Sequence, residues 1–435
     1  MVCGHLIGPG AVRPRETIKK QKSAMKILTR LLSRVIRRGT LNIHYADGTV
    51  ETLGSPTAGF PDVAIRLADA GVARAIVTNP ELGAGEGYMN GRILMEQGTI
   101  WDLIMLVTGN SPLESDTALV QPGPLQTLVE RLKHIRDSHN KRDRSKANVA
   151  HHYDLSDKLY DLFLDKDRQY SCAYFTDPET VGLEQAQLDK KAHIAAKLAL
   201  KPGQRVLDIG CGWGGMALYL NRVADVDVLG VTLSEEQLKV ARRRAQEAGV
   251  ADRVKFELID YRDVRGTFDR IVSVGMFEHV GLPQYRTFFR TCHNLLAKDG
   301  VMLLHTIGRL DGPSWTDAFT RKYIFPGGYA PALSEIQQGS EPNKLLLTDV
   351  EILRVHYYHT LRHWYDRTVA ARDAIVALYD ERFFRMWSYY LAAAASGFRY
   401  GSQTIYQLQY ARDRMTLPLT RDYMAEAEAR YRAMG

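Results

Sequence analysis

The sequence predicts an α/β protein with a parallel sheet in its larger, C-terminal part and a small α+β domain before it. Three observations support this prediction. Strand and helix patterns alternate between residues 205 and 306, a hairpin signal lies at Asp47-Gly48, and a Gln-Pro-Gly-Pro break at 121–124 separates the two parts. Strands separated by helices of this size pair in parallel, and helices then cover both faces of the sheet.

The N-terminal part, residues 1–125, contains a predicted basic amphipathic helix at 23–38. Its apolar residues recur at helical spacing, namely Leu28, Leu31, Leu32, Val35 and Ile36. Such a helix is suited either to lie on an anionic membrane or to pack on its own domain, and the sequence leaves both interpretations open. A β hairpin is predicted at 40–53 and a second helix at 62–74.

The C-terminal part, residues 148–435, follows a predicted basic linker at 126–147. The predicted strands lie at 205–209, 227–232, 254–258, 268–274, 301–306 and 404–410. The predicted helices lie at 215–222, 234–248 and 284–296, and residues 358–400 form a helical, aromatic stretch.

Positive charge is concentrated in two segments of the 435-residue chain, whose formal net charge is +7. Residues 1–40 hold ten bases and one acid, and residues 131–146 hold seven bases and two acids. This local charge favours a polyanionic surface as partner. Four cysteines without CxxC spacing, and no apolar leader, predict a reduced, cytoplasmic setting. No apolar run approaches the roughly 18 residues of a membrane span, so any membrane association is expected to be peripheral, at the inner face.

A glycine-rich turn joins the first predicted strand of the parallel sheet to a helix. Gly210 and Gly212 lie in this turn, and Asp208 stands two residues before the first glycine. Glycines there allow a tight turn and the close approach of a ligand to backbone amides. Nicotinamide-binding folds usually place an acid at the end of the next strand, whereas this strand ends at Thr232. The turn instead resembles the S-adenosylmethionine loop of class I methyltransferases.

Six further motifs, taken in order, resemble those of bacterial cyclopropane-fatty-acyl-phospholipid synthases. They are NVAHHYD at 148–154, YSCAYF at 170–175, GVTLSEEQ at 230–237, GMFEHVG at 275–281, LHTIG at 304–308 and KYIFP at 322–326. The resemblance covers residues 148–411 and, more loosely, the N-terminal segment that contains GEGYMNG at 85–91. It implies a class I, Rossmann-like methyltransferase fold with a seven-stranded, mostly parallel sheet and helical insertions that form the lipid site.

The resemblance also implies an activity, which is methylene transfer from S-adenosylmethionine to the cis double bond of an unsaturated phospholipid acyl chain, forming a cyclopropane ring. A bound bicarbonate ion is implied as the general base. The residues that correspond to its ligands are Cys172, Glu278, His305, Ile307 and Tyr357, and a one-residue slip would exchange Tyr357 for Tyr358. The implied partners are the phospholipid and a second copy of the chain in a homodimer, and the charge pattern adds an anionic membrane surface.

The cofactor residues follow from the same resemblance. Tyr170 and Ser171 correspond to the methionine end of S-adenosylmethionine. The loop beneath it contains Asp208, Gly210 and Gly212; the ribose region contains Thr232, Leu233 and Gln237; and the adenine region contains Asp260 and Tyr261.

Four other interpretations compete with this one. A zinc site at His356, His359 and His363 lacks an HExxH pattern or a cysteine partner, so no metal is expected. A covalent Cys172 nucleophile with His305 as base is disfavoured because methyl transfer to an alkene needs no acyl-enzyme. RNA binding is disfavoured because the basic N-terminal segment contains no aromatic residue, so no nucleic-acid partner is expected. A sibling enzyme that adds a methyl branch without closing a ring is the nearest alternative.

Overall fold

The computed structural model describes residues 14–115 and 156–435 of the chain. The predicted linker at 126–147, the break at 121–124 and the NVAHHYD motif lie outside the described residues. The described chain divides into two compact units. Unit 1 contains residues 14–115 together with Asp380–Tyr389, and unit 2 contains residues 156–379 and Tyr390–Gly435.

Unit 1 is built on a four-stranded sheet with the order β2-β1-β3-β4. Its elements are α1 (Pro14–Val35), β1 (Gly39–His44), β2 (Val50–Ser55), β3 (Asp62–Leu67), α2 (Ala70–Thr78), α3 (Pro80–Met89), β4 (Ile93–Gln97) and α4 (Ile100–Gly109). Strands β1 and β2 pair antiparallel, which confirms the predicted hairpin. At its turn Gly48 has a φ of +85°, and the Asp47 carboxylate accepts the N–H of Thr49.

The helix predicted at 62–74 is wrong. Residues 62–67 form β3, which pairs with β1 on one side and β4 on the other. Val63, Ile65 and Leu67 alternate along it and are all buried, so the period of two governs this segment. The helix that follows begins at Ala70, where the Asp69 side chain accepts the N–H of Gly71.

Helix α1 packs on its own unit through part of its apolar face, which confirms the packing that the second interpretation predicted and leaves the other side of the helix exposed. Leu28 and Ile36 are buried in the core of unit 1. Leu31, predicted with them, is instead 39% exposed, and Ile27 is 43% exposed. The exposed apolar residues of α1 are therefore Ile27 and Leu31, although the periodicity had placed Leu31 on the buried face.

Residues from 156 onward form alternating strands and helices. The strands are β5 (Arg205–Ile209), β6 (Asp227–Thr232), β7 (Val254–Leu258), β8 (Phe268–Val274), β9 (Leu296–Arg309), β10 (Leu346–Ile352) and β11 (Gln403–Ala411). The helices are α5 (Asp157–Phe163), α6 (Leu183–Lys197), α7 (Gly215–Ala224), α8 (Glu235–Glu247), α9 (Tyr285–Leu295), α10 (Ala318–Tyr323), α11 (Leu333–Ser340), α12 (His356–Ala370), α13 (Arg372–Leu378), α14 (Glu381–Arg399) and α15 (Asp422–Met434).

The seven strands of unit 2 form one sheet with the order β10-β11-β9-β8-β5-β6-β7. The five strands from β9 to β7 in this order run parallel, whereas β11 and β10 pair antiparallel at the other edge. The predicted α/β fold with a seven-stranded, mostly parallel sheet is confirmed. Successive residues of β5 face opposite sides, with Val206 in one apolar cluster and Leu207 in the other, so both faces of the sheet are covered.

The strand order reverses beside β5. The chain continues from β5 outward to β6 and β7, and then returns to place β8 on the other side of β5. Loops at the carboxyl ends of two such strands diverge and leave a crevice, which is the usual ligand position in open α/β sheets.

Candidate active site

A cavity opens at the carboxyl ends of β5, β6, β7 and β8. It is lined by the loop after β5, by the ends of the other three strands and by the segment 168–171. The structure brings together at this cavity all ten residues that the sequence assigned to the cofactor, which are Tyr170, Ser171, Asp208, Gly210, Gly212, Thr232, Leu233, Gln237, Asp260 and Tyr261.

The glycine loop requires glycine at two positions for different reasons. Gly210 has a φ of +81°, and a Cβ there would lie 2.8 Å from the Cβ of Met276. Gly212 has a φ of +54°, and a Cβ there would meet open space. The first position is therefore restricted by both backbone conformation and packing, and the second by backbone conformation alone.

Asp208 supplies a buried carboxyl group to the cavity. It is 1% exposed, and its Oδ2 has no hydrogen-bond partner among the described residues. Burial raises the pKa of Asp208 to about 7, opposed by the positive charge of Lys190. An oxygen left unsatisfied in this way costs free energy unless a ligand donates to it, so it suits a ligand that carries an ammonium or hydroxyl group.

At the outer part of the cavity, the polar side chains are already paired with one another. The Thr232 hydroxyl accepts the N–H of Ser234 and donates to Oε1 of Gln237 at 3.0 Å. The Asp260 carboxylate accepts from Nε of Arg262 at 2.8 Å, so it shares its acceptor capacity between this arginine and any bound ligand. These pairs hold the side chains in fixed positions at the carboxyl ends of β6 and β7.

Lys190 is a site residue that the sequence analysis missed. It is fully buried in α6, and its Nζ donates to Ser171 Oγ at 2.9 Å and to Gln169 Oε1 at 2.6 Å. Burial lowers the pKa of Lys190 to about 8, against the favourable charge of Asp165. Its sequence signal is the spacing of Lys190, His193 and Lys197, which places all three on one side of the helix.

Glu278 and Ile307 are joined by a hydrogen bond, and Glu278 lies in the chain between the cavity residues Met276 and His279. Oε1 of Glu278 accepts the backbone N–H of Ile307 at 2.7 Å, while Oε2 is buried and has no partner among the described residues. Burial raises the pKa of Glu278 to about 7, although the Ile307 N–H opposes this shift. Because the Ile307 N–H is donated to Glu278, this N–H positions the glutamate.

His305 precedes Ile307 by two residues on β9, so both side chains point to the same face of the sheet. Its Nδ1 lies 3.1 Å from Nε2 of Gln407, and its own Nε2 is buried without a partner among the described residues. Burial, aided by the charges of Lys190 and Lys197, holds the pKa of His305 well below its ordinary value, so the ring is neutral.

Cys172 and Tyr357 lie on the segment 170–175 and on α12. Cys172 is 1% exposed, and burial raises the pKa of its thiol well above the ordinary value, which disfavours the nucleophilic thiolate interpretation. The N–H of Ala173 donates to Thr360 Oγ1 at 3.0 Å, one helical turn after Tyr357. Tyr357 is buried, whereas Tyr358 is partly exposed beneath the Arg399 guanidinium, so burial favours Tyr357 for the predicted site.

The five predicted catalytic residues thus form two groups. Glu278, His305 and Ile307 come from the turn after β8 and from β9, whereas Cys172 comes from the segment 170–175 and Tyr357 from α12. The charge of Lys190 acts on both groups. It opposes the burial that raises the pKa of Cys172, and it adds to the burial that lowers the pKa of His305. The histidines considered for a metal site have other contacts, because His356 accepts the N–H of Phe175 and His363 stacks on the Phe175 ring.

The sheet order, the glycine loop and the cavity at the switch point define the fold and cofactor site of a class I S-adenosylmethionine-dependent methyltransferase. Comparisons with known proteins agree. Residues 140–408 match the family model described as mycolic acid cyclopropane synthetase. Residues 27–113 match a model described as a domain of unknown function (DUF7884).

Two relatives and one solved structure specify the likeness. A cyclopropane-fatty-acyl-phospholipid synthase of Escherichia coli K12 is 38% identical over 367 residues, covering 84% of this chain and 92% of that protein. The tuberculostearic acid methyltransferase UfaA1 of Mycobacterium tuberculosis is 35% identical over 401 residues, covering 89% and 91%. The mycolic acid cyclopropane synthase CmaA1, solved with SAH and CTAB, is 35% identical with a TM-score of 0.58, covering 61% of this chain and 97% of that one. The chain belongs to the mycolic acid cyclopropane synthetase family of S-adenosylmethionine-dependent methyltransferases.

Proposed function

We propose that this enzyme transfers a methylene group from S-adenosylmethionine to the cis double bond of unsaturated acyl chains in membrane phospholipids and closes a cyclopropane ring. The observation that carries the proposal is Glu278, which lies in the chain between the cavity residues Met276 and His279 and has one carboxyl oxygen fixed by Ile307 and the other buried without a partner among the described residues. Such a group is suited to take part in proton removal. The 38% sequence identity to the Escherichia coli synthase supports phospholipid acyl chains as the substrate class.

The residues of the cavity fit S-adenosylmethionine. Oδ2 of Asp208, which has no partner within the described part of the chain, suits a donor on the ligand, and the space above Gly212 lets the ligand approach the backbone. When bound, S-adenosylmethionine supplies an electrophilic methyl group. The protein must hold an alkene, a weak nucleophile, in line with that group and exclude water while it does so.

Ring closure requires that a proton leave the transferred carbon, and the five predicted catalytic residues are proposed to hold a bicarbonate ion for this purpose. Two buried atoms without partners among the described residues, Glu278 Oε2 and His305 Nε2, support an anion site. A neutral imidazole donates through one nitrogen, and a carboxyl group whose pKa is about 7 donates in its protonated form. The neutral Cys172 thiol, whose Sγ donates to the Ala173 carbonyl at 3.2 Å in this structure, becomes a weak donor to the ion when the S–H turns away from that carbonyl.

The experiment that tests this function combines the purified enzyme, S-adenosylmethionine and vesicles of a cis-unsaturated phospholipid. We expect each modified acyl chain to gain the mass of one CH₂, with proton NMR signals of a cyclopropane ring and loss of the alkene signals. Omission of bicarbonate from degassed buffer should slow turnover without changing S-adenosylmethionine affinity. Unchanged lipid in the presence of folded, cofactor-binding enzyme would refute the proposal.

A second candidate is methyl branching of the acyl chain, which the similarity to UfaA1 favours. A methylene-branched chain has the same mass as the cyclopropane product, so mass alone does not separate the two reactions. NMR does separate them, because a branched methylene product retains alkene protons.

Docking on an anionic membrane is proposed for the exposed side of α1. Ile27 and Leu31 are exposed there beside the exposed bases Lys26, Arg30 and Arg34. Each base near an anionic surface contributes about 1 kcal/mol, which salt weakens. Among the described residues, no helix has both the length and the apolar character needed to cross a bilayer.

The docking proposal is tested by changing Lys26, Arg30 and Arg34 together to Gln. Vesicle binding should weaken on anionic vesicles and remain the same on neutral ones. The matched control changes three exposed lysines of unit 2, Lys201, Lys255 and Lys298, and should leave binding unaltered. Equal effects of both triple variants, or a preference of the wild type for RNA at the same salt concentration, would contradict this role of α1.

A further inference from the structure

A row of polar side chains crosses three neighbouring strands and ends at His305 of the proposed active site. Glu351 of β10 pairs in register with Gln407 of β11, and Gln407 pairs with His305 of β9. Directly paired residues of antiparallel strands present their side chains on the same face. Gln407 is fully buried and His305 is 2% exposed, so neither side chain is satisfied by bulk water.

Helix α6 supplies the side chains that meet this row. Lys197 Nζ donates to Gln407 Oε1 at 2.7 Å and forms an ion pair with Glu351. His193, four residues earlier, contacts the same carboxylate through Nε2 at 2.6 Å and Glu428 through Nδ1 at 2.8 Å. The carboxylate of Glu351 therefore fixes the Lys197 ammonium beside Gln407.

The hydrogen-bonding capacities of these groups determine how the Gln407 amide is oriented. A lysine ammonium donates and has no acceptor, so the atom of Gln407 that faces it must be the carbonyl oxygen. The amide nitrogen then faces His305 Nδ1 at 3.1 Å and donates to it. Rotating the amide by half a turn would bring its NH₂ group against the Lys197 ammonium. Both groups are donors, so a buried hydrogen bond would be lost.

From this chain of contacts we infer that Lys197 and Gln407 are positioning residues that hold neutral His305 in the tautomer with its proton on Nε2. Nδ1 is occupied as an acceptor, so the ring proton is on the other nitrogen. That nitrogen is the buried atom without a partner among the described residues. The relay therefore presents an N–H donor to a ligand at the site, and its use in catalysis rests on the proposed function.

The charges around His305 also favour the neutral ring. Lys190, Lys197 and His193 oppose a further positive charge on it, and Glu351 alone among the named neighbours favours one. Burial acts in the same direction as the three bases. A neutral imidazole has only one N–H, so its placement decides whether the site contains a donor or an acceptor.

The tautomer is measured directly by nitrogen NMR of the whole protein with ¹⁵N-labelled histidine. The His305 signals are identified by their loss in His305→Gln. We expect a protonated Nε2 and a non-protonated Nδ1 in the wild type, whatever substrate the enzyme uses. A proton on Nδ1, or on both nitrogens, would overturn the inference without bearing on the proposed function.

Gln407→Glu tests the relay because it replaces the amide donor by an acceptor of nearly the same shape. His305 should then carry its proton on Nδ1, and kcat should fall about 10- to 100-fold, the usual cost of losing a hydrogen bond to a charged group, with S-adenosylmethionine affinity unchanged. Lys197→Met changes a residue that makes no hydrogen bond to His305, yet it removes the donor that fixes the Gln407 amide. The amide can then rotate and turn its oxygen to His305, so a population of His305 protonated on Nδ1 should appear. An unaltered tautomer in both variants would contradict the relay.

The matched control is Gln409→Glu, which makes the same change two residues along β11. Gln409 is equally buried, but it donates to the Lys197 carbonyl and to Tyr423 rather than to His305. It should lower stability while leaving the tautomer and the kcat of folded enzyme as in the wild type. A changed tautomer in Gln407→Glu with an unchanged kcat would count against the role of His305 in the proposed function, and the positioning itself would stand.

Discussion

Glu278→Gln is expected to stabilise the ligand-free protein increasingly as pH rises, while it impairs catalysis. Gln keeps an oxygen that accepts the N–H of Ile307, so the local hydrogen bond survives. The substitution removes the carboxyl group of Glu278. Burial raises the pKa of that group to about 7. The folded protein therefore resists ionisation of Glu278 more strongly than the unfolded chain does.

The sign and size of this effect follow from linkage. Below the ordinary pKa of 4.5, Glu278 is protonated in both states and imposes no cost. Between 4.5 and about 7 the unfolded chain loses the proton while the folded protein keeps it, so wild-type stability falls as pH rises. The full cost is about 3 kcal/mol, and about 2 to 3 kcal/mol of it develops between about pH 5 and 8.

The assay is urea unfolding of wild type and variant, run in parallel at several pH values. The difference in the free energy of unfolding should shift by this amount in favour of Gln, whatever constant offset the amide introduces. A difference that does not change with pH would refute the reasoning, because Glu278 would then ionise with an ordinary pKa in the folded protein. Turnover should fall while S-adenosylmethionine affinity is retained.

The control for turnover is Glu335→Gln, which changes another buried glutamate of unit 2. Its two oxygens already accept from the Tyr329 hydroxyl and the Ala332 N–H, and it lies outside the five predicted catalytic residues. Turnover should be retained in this variant. Loss of turnover in both would mean that removal of any buried carboxyl group from this unit disturbs the enzyme.

Three further predictions concern residues assigned to the reaction or to the cofactor. Cys172→Ser should reduce turnover more than S-adenosylmethionine affinity in calorimetry, and an equal loss of both would place Cys172 in the cofactor site. Asp208→Asn should weaken S-adenosylmethionine binding about tenfold or more, because an amide donor replaces an acceptor that no described residue satisfies. Unchanged affinity would remove Asp208 from that site. Gly212→Ala should cost about 1 to 2 kcal/mol of stability from its backbone conformation alone. Gly210→Ala should cost more and should also lower the affinity for S-adenosylmethionine, because the added Cβ collides with Met276. Thermal unfolding with and without ligand checks the last pair, and equal effects would contradict the packing argument.

Much of unit 2 is predictable from the sequence because its strands are short apolar runs closed by glycine turns and capped helices. β5, β6, β7 and β8 begin and end where the pattern placed them. The helix predicted at 234–248 is α8, and its Ser234 cap accepts the N–H of Gln237. The cofactor cavity is predictable for the same reason, since its residues stand at the ends of these strands.

The failures have a different physical origin. Residues 62–67 contain enough apolar positions for either period, and only pairing with β1 and β4 selects the strand. None of the residues of β10 is buried, and the strand is stabilised by antiparallel pairing with β11, which no local pattern reveals. The sequence did not predict a role for three buried polar residues, Lys190, Lys197 and Gln407. Bases and amides usually lie on the surface, and only the tertiary fold buries these three together.

The most direct test of the proposed function is the fate of the transferred methyl hydrogens. Enzyme, trideuteromethyl S-adenosylmethionine and cis-unsaturated phospholipid vesicles are incubated, and the acyl chains are analysed by mass spectrometry and NMR. Methylene transfer predicts a cyclopropane ring that retains two of the three deuterium atoms and leaves no alkene signal. A chain that retains all three deuterium atoms in a methyl branch, or that keeps an alkene, would contradict ring closure by this enzyme.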